Sequence, residues 1–151
     1  MTSSEMNEPE PEMPARLRAL PSRLLGLTAA RADRLVSAGL AEEDARKWHY
    51  AVLVSLDEYG PASQAALSRS TGIYRSDLVS VINELAERGH VERTPDPEDR
   101  RRNVITLTEK GRRHLDRLDE VLTRVQGELM EPLSKAEQAL LAQLLERMLD
   151  R

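Results

Sequence analysis

Two short β-patterned segments, Val91–Thr94 and Asn103–Leu107, interrupt a chain whose other apolar residues recur at helical spacing. Between them stand Pro95, Pro97 and a run of charge ending in Arg100, Arg101 and Arg102. A proline has no amide proton to give a sheet ladder, so the loop cannot extend the pairing. The expectation is a hairpin with a projecting, charged tip. Three adjacent guanidinium groups repel one another. Such a tip is either a solvated cluster or a reader of anions, meaning phosphate or the electronegative floor of a DNA minor groove. Charge runs are most often plain solvated surface, so the surroundings decide.

Taken in order, residues 1–13 are rich in Glu, Pro and Ser and read as a disordered acidic tail. From Pro14 to Ala38, Leu17, Leu20, Leu24, Leu27 and Leu35 follow helical spacing, with Gly39 as a plausible stop. Pro21 either kinks this helix or occupies the first turn of its main part. A second helix is expected from Glu42 to Tyr59, ended by Gly60-Pro61. Ser63 can cap a short third helix through Ser70, with Ala66 and Leu67 buried, and Thr71-Gly72 breaks the chain. The fourth helix, Arg75–Arg88, has Leu78, Val81, Ile82 and Leu85 at i, i+3, i+4, i+7. Its opposite face carries Arg75, Ser76, Ser80, Asn83 and Glu87, and Gly89 stops it. Thr108 caps a long fifth helix, Glu109–Glu131, whose Leu115, Leu118, Leu122, Val125 and Leu129 form a seam for a partner helix. Pro132 breaks it. Ser134 and Glu137 form a capping box that opens a leucine-rich last helix.

The 151 residues suit one domain with a sizeable core. The apolar runs are too short to span a membrane, and the N-terminus lacks the pattern of a signal peptide; a cytoplasmic location fits. With no cysteine, disulfides, thiol redox chemistry and thiolate metal sites are excluded. A net charge of -4 looks wrong for a nucleic-acid binder, but its distribution does not. Glu5, Glu8, Glu10 and Glu12 sit in the tail, whereas Arg93 to Arg113 holds seven basic against four acidic side chains, a local +3. The local field, not the total, steers a polyanion.

A short helix, a tight turn, a second helix and a two-stranded hairpin with a basic tip make a winged helix-turn-helix pattern. The bland alternative is a helical bundle with a structural hairpin. A helix capped at Ser63 offers backbone amides to a phosphate, the next helix can enter the major groove, and arginine reads an adjacent minor groove. Three stretches then resemble the MarR (multiple antibiotic resistance regulator) family of bacterial transcription factors. They are His49 to Leu56, Gly72 to Leu85, and Asp99 to Gly111, the last similar to the wing pattern Asp-x-Arg, a strand, then Leu-Thr-x-x-Gly.

The resemblance covers residue 14 onward. It implies a mainly α fold of about six helices with a small β-hairpin wing, dimeric through its terminal helices. Its DNA-binding lobe would span about 45–111 and its dimerisation helices about 14–39 and 112–151. It implies double-stranded DNA as partner, with contacts from Ser63, Gln64, Arg75, Ser76, Asp77, Ser80, Asp99, Arg100, Arg101 and Arg102, and with Asp99 orienting Arg101 as a bidentate pair. Two departures from the family pattern stand out. Tyr74 occupies a position where a capping Ser or Asp is common, and Arg102 one where a small residue is common.

The family often takes small aromatic or anionic effectors between the dimer helices and the DNA-binding lobe. Trp48, His49 and Tyr50 are the candidate ligand contacts here, although a helical aromatic is usually core. Trp48 and Tyr50 lie about 200° apart around a helix and cannot both face one pocket. His49, His90 and His114 lack metal-ligand spacing, so neither a metal nor a cofactor is expected. No phosphate loop, nucleophile elbow or Cys-His arrangement is present, so an enzyme is not expected. The reading is a regulator, most simply a repressor, on a pseudo-palindromic operator. The rival is a helical dimerisation or adaptor protein of the same fold without DNA binding.

Overall fold

The computed structural model describes residues 12–150, so most of the expected tail lies outside the described residues. Seven helices and a three-stranded antiparallel sheet follow one another in the described chain. They are α1 (Ala15–Arg18), α2 (Pro21–Ala41), α3 (Lys47–Tyr59), β1 (Ala62–Ser63), α4 (Gln64–Thr71), α5 (Arg75–Glu87), β2 (Val91–Pro95), β3 (Asn103–Leu107), α6 (Glu109–Met130) and α7 (Lys135–Leu149).

The expected first helix is two. Pro21 stands in the first turn of α2, where its missing amide costs nothing, and Leu20 before it is extended. Gly39 does not stop α2, which runs on to Ala41. A Cβ on Gly39 would lie 2.8 Å from Val125 Cγ2 and 3.0 Å from Val121 Cγ1. Gly39 is thus a packing glycine that lets α2 press against α6. The seam of α6 accordingly meets a helix of its own chain. Leu115, Leu118 and Val125 are buried there, while Leu122 and Leu129 are only half-buried.

The chain turns instead at Asp44, whose φ of 53° is left-handed, so α3 begins at Lys47 and not at Glu42. His49 closes that helix end, its Nδ1 accepting the Arg46 backbone N–H at 3.0 Å. The fourth expected helix appears as α5 with all four predicted apolar residues buried. Of the two expected on α4, Leu67 is buried and Ala66 half-buried. The core joins these residues to Leu40, Val52, Leu53, Ile105 and Leu118.

The sheet order is β1-β3-β2, with Ser63 opposite Val104 and Arg93 opposite Ile105. The two-residue β1 has no sequence pattern of its own. It exists because the start of α4 lies against the wing. By contrast α7 buries no residue, and Leu20, Leu24, Leu140, Leu144, Met148 and Leu149 are exposed. Among the described residues no helix is long and apolar enough to cross a membrane.

Candidate nucleic-acid interface

The wing is anchored through Thr108. Its backbone N–H donates to the His90 carbonyl at 3.1 Å, and its hydroxyl donates to the Gly89 carbonyl at 2.6 Å. The same hydroxyl accepts the Gly111 N–H at 3.0 Å and so caps α6. One side chain therefore ties the turn after α5, the wing and the start of α6 together. Ser63 does the equivalent at the other edge. It pairs with Val104 in the sheet while its Oγ accepts the Ala66 N–H at 3.2 Å, leaving the first turn of α4 beside the wing.

Between these parts opens a cleft of about 500 Å³ lined by Ser63, Gln64, Arg69, Arg75, Arg101 and Arg102. Five of the ten expected DNA-contacting residues meet there. Arg69 joins them, and the sequence reading missed it because it sits at the far end of α4. Its spacing of six from Ser63 gives no cue that the helix faces the wing. None of Arg69, Arg75, Arg100 and Arg101 forms an ion pair among the described residues. Uncompensated guanidinium groups around a capped helix start are suited to phosphate oxygens.

Ser76 and Ser80 are exposed on α5, Asp77 is half-buried in its first turn, and Arg100 lies at the wing tip outside the cleft. Tyr74 gives α5 no side-chain cap and is 79% exposed. Asn83, on the same helix, accepts a hydrogen bond from the Arg93 guanidinium and braces α5 against the wing. The expected Asp99–Arg101 bidentate pair does not form. The Asp99 carboxylate accepts the Arg101 backbone N–H at 3.1 Å and pairs at 3.5 Å with Arg102 Nε. Asp99 is positioned to shape the tip: a short acceptor satisfies the amides of its own turn more readily than a side chain that points away.

Trp48, His49 and Tyr50 do not share a cavity. Trp48 is 44% exposed and lines a small hollow with Ser37, Ala41 and Ala45. His49 is buried, with Nε2 2.5 Å from Glu84 Oε2 on α5. Its Nδ1 is already an acceptor, so Nε2 carries the proton and donates. Burial holds His49 below its ordinary pKa despite that carboxylate. The Tyr50 hydroxyl donates to Asp119 Oδ1 at 2.6 Å, pinning α3 to α6, and burial with this carboxylate pushes it up to about 12.

His90 and His114 are buried and stacked, with ring centroids 4.2 Å apart. Burial, then the charges of His114, Lys110, Arg88 and Arg117, push His90 down to about 4 from 6.5. Since the folded pKa lies below the unfolded one, the native state resists this proton. The associated stability is complete above about pH 6.5 and is lost as the pH falls towards 4. That gap corresponds to at most about 3 kcal/mol. Urea midpoints measured from pH 7 to pH 4 should fall, and His90→Phe, which keeps a ring in the stack, should flatten the fall. An equal slope in the variant would move the effect elsewhere. Among the described residues, no three His, Asp or Glu side chains are placed to hold a metal ion.

Comparison with known proteins agrees with this geometry. The model of the MarR family matches residues 46–102. The HTH-type transcriptional repressor NicR of Pseudomonas putida is 31% identical over 101 residues, covering 67% of this chain; the chain spans 64% of that protein, short of two thirds. A probable transcriptional regulator from Pseudomonas aeruginosa has a crystal structure 31% identical in sequence, with a TM-score of 0.79 over 88% of this chain and 99% of its own. The PcaV transcriptional regulator of Streptomyces coelicolor, solved with its natural ligand, is 28% identical, with a TM-score of 0.77 over 92% of this chain and 98% of its own.

Proposed function

The chain belongs to the MarR family, and from that premise we propose that it is a cytoplasmic transcriptional repressor that binds a pseudo-palindromic operator as a homodimer. The lobe from about 45 to 111 binds DNA, and the helices at about 14–39 and 112–151 build the dimer. The observation that carries this reading is the cleft of Arg69, Arg75, Arg101 and Arg102 beside the Ser63-capped start of α4. It offers phosphate oxygens the three guanidinium groups of Arg69, Arg75 and Arg101, unpaired among the described residues, with Arg102 shared with Asp99, beside the first turn of α4. Ser76 and Ser80 face outward on α5 for the major groove, and Arg100 and Arg101 reach the flanking minor groove. The two half-sites lie about one helical turn apart, roughly 34–36 Å. A small effector, as in the PcaV structure solved with its natural ligand, releases the repressor from DNA.

The test is binding to duplex DNA taken from upstream of the coding gene, measured across a salt series. Arg101→Ala should weaken binding about tenfold or more and reduce the salt slope by about 1. The loss should be greater at sites with A·T-rich flanks, where the narrow groove concentrates negative potential. Ser76→Ala and Ser80→Ala should instead shift preference among half-site sequences, by about 1–3 kcal/mol where a base edge is contacted. Absence of salt-dependent binding to any duplex would favour the adaptor alternative.

A further inference from the structure

Between Gly60 and Ala139 the chain exposes two large apolar side chains, Tyr74 and Val79, and both stand at the start of α5. Single exposed apolar residues are ordinary surface. These two differ in what they cost locally and in what surrounds them.

Each position forgoes a stabilising alternative. Tyr74 is the N-cap of α5 and makes no side-chain cap, where Ser, Thr, Asn or Asp would satisfy a free amide. Val79 is β-branched and exposed, where alanine or a straight polar chain would favour the helix. Residues that work against the element they sit in mark positions that serve something else.

The surroundings identify what that is. At about 100° per residue, Val79 projects within about 60° of Arg75, Ser76 and Asn83, all exposed on α5. Side chains on a helix lean toward its N-terminus, so Val79 lies over the turn that carries Arg75 and Ser76. Arg75 in turn lines the cleft with Arg69, Arg101 and Arg102. An apolar group is thus set one turn from guanidinium groups suited to phosphate. Two side chains fall far short of the roughly 1,200 Å² that a stable protein interface buries. They match a smaller apolar target on an anionic surface.

Double-stranded DNA offers one. The base edges of the major groove present donors and acceptors, and the C5-methyl group of thymine is the apolar exception. Valine has no hydrogen bond to give or take, so it responds to that methyl alone. We propose that Val79 and Tyr74 are specificity-determining residues, each packing on a thymine methyl group within the half-site. The operator is then held to thymine at two fixed positions by apolar contact, beside the polar contacts of Ser76 and Ser80. The inference rests on the reading of α5 as the helix in the major groove.

The probe is the duplex most enriched by the wild-type protein from a random-sequence pool. Each thymine of a half-site is replaced in turn by deoxyuridine, which keeps every hydrogen bond and removes only the methyl group. Wild type should lose about fourfold in affinity at each of two positions. Val79→Ala should bind the parent and the deoxyuridine duplex alike at one of them, and Tyr74→Ser at the other. Cytosine at either position should weaken wild type, and 5-methylcytosine should recover about fourfold of that loss. Both variants should unfold at or above the wild-type urea midpoint, since serine caps α5 and alanine favours it. Lost methyl sensitivity in a protein that is no less stable separates contact with DNA from support of the fold. Wild type indifferent to every deoxyuridine, or variants that keep the full wild-type sensitivity, would overturn the inference and leave the repressor reading standing. A pool from which no duplex is enriched would overturn both.

Discussion

Replacing Gly111 by alanine should destabilise the protein by about 3–5 kcal/mol, a large share of a typical domain's stability of about 5–15 kcal/mol. A Cβ at this position would sit 2.0 Å from the His90 carbonyl oxygen and 2.9 Å from Leu107 Cδ1. The first of these is backbone and cannot rotate away. To make room, the start of α6 would have to leave the His90 carbonyl, breaking the 3.1 Å bond from the Thr108 N–H and disturbing the Thr108 cap. The sign of the effect is diagnostic. Helix propensity alone would make alanine more favourable than glycine by about 1 kcal/mol inside a helix, so the two influences oppose and the clash is the larger. Urea unfolding of Gly111→Ala against wild type decides it. A variant as stable as wild type would mean that α6 does not lie so close to the wing. The contact also gives a physical reason for the glycine in the Leu107-Thr108-x-x-Gly111 pattern: it permits the approach over which Thr108 closes.

The second large effect is expected from the Leu140→Asp and Leu144→Asp double variant: loss of the dimer, with operator affinity down about 100-fold or more. Leu140 and Leu144 are 52% and 43% exposed on α7, and Leu20, Leu24 and Leu27 are similarly exposed near the start of the chain. These helices present apolar faces with nothing against them in the single chain, which is the mark of an association surface. Aspartate there must be desolvated for the faces to meet. Two linked lobes gain from effective concentration at adjacent half-sites, and a separated lobe loses that gain without losing one DNA contact. Sedimentation velocity and operator titration on the same samples connect the two results. A wild-type protein that sediments as a soluble monomer would refute the dimer, and so would undiminished operator affinity in a monomeric variant.

Much of the architecture was legible along the chain because it rests on local physics. The apolar face of α5 repeats at 3.6 residues, and Ser63, Thr108 and Ser134 each accept an amide at a helix start. Pro95, expected to end the pairing, instead closes the edge strand β2 opposite Asn103, where a missing amide on the outer side costs nothing. Local rules misled where a residue served a distant neighbour. Gly39 reads as a helix stop, yet it remains helical because Val121 and Val125 of α6 require a residue without a side chain there. Asp44, not glycine, takes the left-handed turn that begins α3 late. Asp99 is close in sequence to Arg101 but its carboxylate is held by the turn amide and Arg102.

The sequence by itself determined the order of helices and wing, the clean face of the recognition helix and the concentration of arginine at the hairpin tip, since each depends on residues a few positions apart. Only the tertiary structure decided which side chains share a site. Arg69 joins Arg101 across 32 positions because the two-residue β1 ties the start of α4 to β3. Helical spacing already kept Trp48 and Tyr50 from one pocket, but the packing of α3 decided what each meets: Ser37 beside Trp48, Glu84 for His49 and Asp119 for Tyr50. His90 and His114, 24 positions apart and read as unrelated, stack because Gly111 allows α6 to close on the His90 carbonyl. Their pairing follows from how closely two elements approach, a distance that no local pattern encodes.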